Sequence, residues 1–386
     1  MKWSPSGPRL PVLFASLTAA AALGTGSALL GSCGPFNDFT DPAFCSSVLE
    51  IFYAGITTGT TPTTYDPSDP VIRLQMAAFL SRTVDAVLKR GGRRTALGQT
   101  WPSEEVALSV TTVGISPGGV QFDGEDLWVS NFGTVSRVRA SDGRLLETWT
   151  GAASADGVVS AMGQVLLTAQ TSPGKLYWID PSRPAGAVAT VATNLGDQSN
   201  GPAFDGGRIW TANVGSVSIV TPAVSAPWTV TTVSTGFTHP VGALYDGSNV
   251  WVTDYGAAAL RKLDASGAIL QSVTVGLLPA FAVFDGAGIW VPNQGDNSVT
   301  VVRASSGAVL ATLTGNGLST PSSAAFDGER ILVADSGVAR VSLWKAADLT
   351  PLGFITTVAG STPFGACSDG IHFWVTLSTI GQLARF

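Results

Sequence analysis

The chain of 386 residues is 45% hydrophobic and only 12% charged, with a formal net charge of −6. That length and apolar content supply a large core, and so little charge leaves the surface to Ser, Thr, Asn and Gly. No basic run extends beyond Lys89-Arg90 and Arg93-Arg94, which excludes the continuous cationic face that nucleic-acid phosphates require.

The chain opens with Lys2 and Arg9, then an uncharged stretch over 11–30 rich in Ala, Leu and Gly, with small residues at Gly26-Ser27-Ala28. This pattern predicts a cleaved export signal over 1–32, and hence a secreted or cell-surface protein of the bacterial envelope with no transmembrane span after signal removal. Interruption by Gly, Ser and Thr, and the lack of a basic stop-transfer flank, argue against a retained anchor. Leu30-Gly31-Ser32-Cys33 is similar to the lipobox of bacterial lipoproteins, which makes Cys33 a lipidation candidate. A Cys33–Cys45 disulfide, favoured by an oxidising compartment, is the alternative. Cys367 is then left over and is expected inside a strand as a small apolar residue. With no Cys-x-x-Cys and no Cys/His cluster, neither a metal nor another cofactor is expected.

Residues 36–88 have a texture of their own. Phe36-Asn37-Asp38-Phe39 precedes an apolar-periodic helix over 44–53, followed by Ala54-Gly55-Ile56-Thr57-Thr58-Gly59 and Tyr65-Asp66-Pro67. Gly55 and Gly59 permit a helix stop and a tight turn. Asp69 and Pro70 sit where an N-cap and a first-turn Pro would start a second helix, with Leu74, Ala77, Ala78 and Val84 as its buried stripe. In order and spacing these pieces resemble one S-layer homology module, a family that binds cell-wall polysaccharide, usually as three tandem copies. The resemblance implies a wall-binding site at Arg73 with Gly55 and Gly59. Ile72, Leu74 and Gln75 stand where the family has Thr, Ala and Glu around that arginine. The alternative is a spacer in which Arg73 pairs with a nearby carboxylate. Residues 89–106 read as a basic, solvated linker.

Beyond residue 107 a repeat sets the expectation. Phe-Asp-Gly or a variant, then an apolar run with Trp, then Asn or Asp near Gly, recurs with its marker at 123, 162, 205, 246, 285, 327 and 369. The steps of 39 to 43 residues match the length of a four-stranded propeller blade. The copy at Ala161-Met162-Gly163 is degraded, keeping Leu167 and Gln170. Asp-Gly is a preferred two-residue hairpin turn and would join the innermost strand to the second. Trp follows the marker by five residues in five of the seven copies and is assigned to packing between blades. Third strands are expected at 134–140 and 298–304, and outer strands at 145–150 and 309–314. The last copy reaches Phe386 after its third strand, 381–386, while 107–113 resembles the outer strands at 229–233 and 355–358. The expected fold is therefore all-β, a seven-bladed β-propeller over 107–386 closed by that N-terminal strand, because a ring must cover its open edges. The region resembles the NHL/YVTN-type and virginiamycin-lyase-type propellers in blade grammar.

Candidate ligand residues lie eight positions past each marker: Asn131, Gln170, Asn213, Asp254, Asn293 and Asp335, with Leu377 the exception. Such a ring around a channel suits a sugar, a peptide or a cation; alternatively each side chain caps its own turn. His239 falls on the same face, in a loop before Pro240, whereas His372 lies near the opposite end of its strand. No Gly-x-Ser-x-Gly, His-Glu-x-x-His or phosphate-cradling loop is present, so no catalytic residue is assigned. The sequence reading is a binding or display platform for a protein or glycan ligand, tethered to cell-wall polysaccharide by the first module. A lyase or hydrolase acting near His239 is the alternative.

Overall fold

The computed structural model describes residues 36–38, 48, 51, 57, 60, 61, 63–71, 75, 76, 79, 80 and 109–386. The chain divides into two compact units, Met1–Leu97 and Gly98–Phe386. The candidate signal and linker, Cys33, Cys45, Gly55, Gly59 and Arg73 all lie outside the described residues. Among those described in the first unit, the Asp38 carboxylate accepts the N–H groups of Tyr65 and Asp66 at 2.9 and 2.7 Å. The Phe36 and Tyr65 rings lie 5.4 Å apart. The Phe-x-Asp and Tyr-Asp-Pro pieces thus meet through backbone capping and ring packing. No helix among the described residues is long and apolar enough to cross a membrane.

The second unit is a seven-bladed β-propeller of seven four-stranded antiparallel sheets. The first blade runs Val120–Phe122, Asp126–Ser130, Thr134–Arg139 and Leu145–Thr150, from the axis outward. Five further blades repeat that order. The seventh takes Pro363–Ser368, Phe373–Leu377 and Gln382–Arg385 from the end of the chain and Ser109–Thr112 from before the first blade. Ser109 pairs with Arg385 and Thr112 with Gln382, and Val113 N–H adds a bond of 3.0 Å to Gly381 O. Closure by the N-terminal strand is therefore as expected; residues 107 and 108 lie outside the described region. The outer strand expected at 355–358 instead spans Pro351–Thr356, because the Lys345–Thr350 turn ends early enough for Pro351 to pair with Trp344.

Seven apolar clusters fill the spaces between neighbouring blades. Trp128 packs with Val158, Leu167 and Tyr177 of the second blade, and Trp374 with Leu127, Val129 and Val138 of the first. The five recurring Trp side chains are fully buried. Their spacing has a second cause besides packing. Each indole N–H donates to the marker Asp five residues earlier, at 2.7 Å from Trp128, Trp210, Trp251 and Trp290 and 2.8 Å from Trp374. The other carboxylate oxygen accepts the backbone N–H groups two and three residues on, as Asp246 does from Ser248 and Asn249 at 2.8 and 2.7 Å. One carboxylate thus closes the turn and orients the core indole. Where Leu332 replaces Trp, the Arg330 guanidinium donates to Asp327 at 2.8 Å instead.

The turn differs from the expectation. Its central residues are Gly and the one after it, as in Gly124-Glu125 between Asp123 and Asp126, with Gly124 at φ 108°. Gly at the first central position is the type II′ signature, and the Asp sits before it as the cap. The degraded copy uses Met162 and Gly163 at φ 57° and 71°, a type I′ arrangement that needs no capping carboxylate.

Candidate functional site

The Asp-Gly turns lie at one end of the strands, the turn face; the connections between blades lie at the other, the channel face. Asn213, Asp254, Asn293 and Asp335 end second strands at the channel face, Asn131 directly follows one, and all five are buried. Asn213 donates to Ser218 Oγ at 3.0 Å and accepts from Ser199 Oγ at 2.6 Å. Asn293 donates to Ser298 and Thr300, and Asn131 to Thr134 and Ser136. Asp254 accepts the N–H groups of Thr238 and His239 at 3.1 and 2.8 Å. Asp335 accepts from Ser319 N–H at 3.2 Å and Ser342 Oγ at 2.6 Å. These side chains fasten each incoming connection and third strand to the blade; they cap, and beyond their own turns. Burial outweighs the hydrogen bonds and the Arg340 charge at Asp335, pushing its carboxyl up to about 7. Gln170 alone of the ring is exposed, and its Nε2 donates to Asn200 Oδ1 at 2.6 Å. His239 is half-buried, its ring 5.5 Å from that of Tyr255. His372 lies on the turn face, 3.5 Å from Asp369.

The axis is lined by a repeat that the marker search passed over: Pro117-Gly118-Gly119, Pro240-Val241-Gly242, Pro279-Ala280-Phe281, Pro321-Ser322-Ser323 and Pro363-Phe364-Gly365, with Ala155-Asp156-Gly157 in the second blade. The third position faces the next blade so closely that a Cβ on Gly365 would stand 2.3 Å from Gly118 O, and one on Gly119 2.8 Å from Asp156 O. Glycine there lets inner strands bond directly, Gly119 N–H to Asp156 O at 2.8 Å and Gly201 N–H to Val241 O at 3.1 Å. Thr168, Thr253 and Thr376 hydroxyls accept the glycine N–H groups of the same segments, at 3.2, 3.1 and 2.8 Å. Phe281 is the departure. Its ring lies against the backbone of Gly201 and Gly242 and edge-on to Phe364 at 5.8 Å, so it projects into the axis.

The channel face holds a cavity of about 260 Å³ between the first, second and seventh blades. Its apolar walls are Pro117, Phe132, Ala155 and Phe364, and its polar groups include Asp156 and Gln170. Burial pushes the Asp156 carboxyl up to about 6, against a small opposing effect of the Gln170 amide. Around it the face is nearly uncharged. The connections and hairpin tips on this side carry no Lys or Arg, and their exposed acids are Asp197 and Asp296. Exposed Ile115, Phe132, Val214 and Leu277 stand among them. The turn face is the reverse, with ion pairs such as Arg208–Asp205 and Arg330–Asp327.

No family model matches the chain, and no curated protein matches it. Solved structures do. Virginiamycin B lyase from Staphylococcus aureus aligns at a TM-score of 0.62 with 14% identity, over 73% of this chain and 99% of that one. A streptogramin B lyase aligns at 0.60 with 13% identity, over 72% and 97%. Kuenenia stuttgartiensis hydrazine synthase aligns at 0.59 with 16% identity, over 74% and 99%. At such identities the likeness is one of fold, and what it establishes is a seven-bladed propeller shared by proteins of different activities.

Proposed function

We propose that the propeller is a binding and display platform of an exported envelope protein, with the channel face as its ligand-receiving surface and the 36–88 segment as its wall anchor. The observation that carries this reading is the contrast between faces. Ion pairs crowd the turn face, whereas the channel face combines exposed apolar side chains, hydroxyls and a cavity lined by the half-buried Asp156 carboxylate. Because the polar ring is engaged in holding the blades, the ligand meets the connections and the cavity. The test is binding of the full chain to arrayed envelope glycans and peptides. Ile115→Ser and Phe132→Ala on the channel face should abolish capture, and Leu352→Ser on an outer strand should leave it intact; equal capture by all three refutes the assignment. Retention on isolated wall polysaccharide that Arg73→Ala removes supports the anchor, and unchanged retention refutes it.

A lyase or hydrolase at the same face is the second reading, favoured by His239 lying there beside Tyr255 and by two lyases among the similar folds. Its test is turnover that His239→Ala abolishes.

A further inference from the structure

We propose that the cavity between the first, second and seventh blades is a receptor for an organic ammonium group, a primary or methylated amine carried as a side group of a larger ligand. The proposal rests on the channel face being the binding surface, and it names what that surface recognises.

Asp156 is the one titratable side chain lining the cavity, and among the described residues no Lys, Arg or His forms an ion pair with it. Asp156 is half-buried, and a carboxylate partly withdrawn from water without a cation gains when a cationic partner arrives. The repeat makes its presence informative. The equivalent positions in other blades hold Gly118, Asn200, Val241, Ala280, Ser322 and Phe364; only Asn200 is comparably polar and none is ionisable, so blade architecture does not call for an acid there. The backbone of Asp156 does the structural work, its carbonyl accepting Gly119 N–H and Ser130 Oγ.

The walls select the kind of cation. Phe132 and Phe364 offer aromatic surface, which attracts an ammonium and its attached methyl or methylene groups. A hard divalent ion needs six or more oxygen ligands. Here a single carboxylate is available, and the nearby Gln170 amide is engaged with Asn200. An anion is disfavoured by a cavity lining that holds a carboxylate and no Lys or Arg. A volume of about 260 Å³ is below that of a pocket enclosing a drug-sized molecule, so a side group enters rather than a whole ligand.

The probes are choline and its uncharged isostere 3,3-dimethylbutan-1-ol, titrated into the full chain by calorimetry at about pH 8 and about pH 5. Choline should bind at the higher pH at least about tenfold more tightly than the isostere, and Asp156→Asn should weaken it by a similar factor. Protonation of Asp156, the cavity's one acid, should weaken choline at the lower pH too. Phe132→Ala removes a 65% exposed ring, so its loss of affinity should come with an unchanged fold. Equal binding of the two probes, full affinity in Asp156→Asn, or no choline binding overturns the proposal. If choline fails while the glycan or peptide ligand is still captured in a Phe132-dependent way, the ammonium receptor falls and the binding face stands.

Discussion

Replacing Asp335 by Asn should stabilise the propeller, and only above acidic pH. Asp335 is wholly buried, and burial pushes its carboxyl up to about 7 from an ordinary 3.8. In this interval the native state holds a proton that the unfolded chain has released, so stability is greatest below about pH 4 and falls as pH rises through about 7. A separation of about three pH units corresponds to roughly 4 kcal/mol of ionisation cost in the folded protein. Asn removes that cost and has a precedent at the equivalent position, since Asn293 Nδ2 donates to Thr300 Oγ1 at 3.0 Å. At residue 335 an amide would donate to Ser342 and still accept Ser319 N–H. The Arg340 attraction is already contained in the shift to about 7, so the net gain is at most roughly 4 kcal/mol at about pH 8 and little or none at about pH 4. Urea denaturation of both proteins across pH, at fixed ionic strength, measures the difference, from which the Asp156 contribution cancels. A difference independent of pH, or a less stable variant at about pH 8, would refute the reasoning, because it would mean that the native carboxylate is ionised and well paired.

The marker Asp should resist the same exchange. In Asp246→Asn the amide cannot cap the turn with one oxygen and accept the Trp251 indole with the other, so about 1–3 kcal/mol should be lost in a urea titration. Gly365→Ala drives a Cβ to within 2.3 Å of Gly118 O and should cost at least about 2 kcal/mol, whereas Gly118→Ala, with its nearest neighbour at 3.0 Å, should cost less; thermal melts compare the two. Deletion of Ser109–Thr112 uncovers the edge of Gln382–Arg385 and should give an aggregating product, visible by size-exclusion chromatography, with a stable monomer as the contrary result.

The ring was legible because its stabilising devices repeat. A Trp placed five residues after an Asp is visible without coordinates, and so is a strand left over at each end. The reason for the spacing was not, since the indole-to-carboxylate bond depends on how the turn folds back: Asp246 and Trp251 meet only when Gly247 takes the positive φ of the turn. The sequence left the polar ring between ligand binding and capping for a related reason. Residues eight past the marker do lie at the channel face, but the Ser and Thr of the third strands and the incoming N–H groups draw them inward, as Ser136 does with Asn131 and Ser319 with Asp335. Which way an amide turns depends on those partners, and their positions vary from blade to blade. Arg73, Gly55, Gly59 and Cys33 lie outside the described residues, and their roles rest on the sequence alone.

A repeat fold also separates what holds the molecule together from what it can do. The Asp carboxylate, the buried indole and the close-packed glycine recur in most blades, and the threonine that accepts the glycine N–H in three, so their loss is a stability matter at any copy. Function is placed most cheaply where a copy departs from the pattern without breaking it. Three departures fall in the axial segments: Asp156, Phe281 and Phe364 stand where other blades hold small residues, Val, Ser or Asn200. Phe281 and Phe364 meet edge to face at 5.8 Å in the axis, while Phe364 and Asp156 line the cavity on that face. Side chains from the second, fifth and seventh blades are thus combined by the ring's closure. If that combination serves recognition, Phe281→Gly should open the axis, loosen Phe364 and weaken choline binding at Asp156 while blade pairing persists. A purely structural Phe281 would instead lower stability and leave the affinity of the folded fraction unchanged.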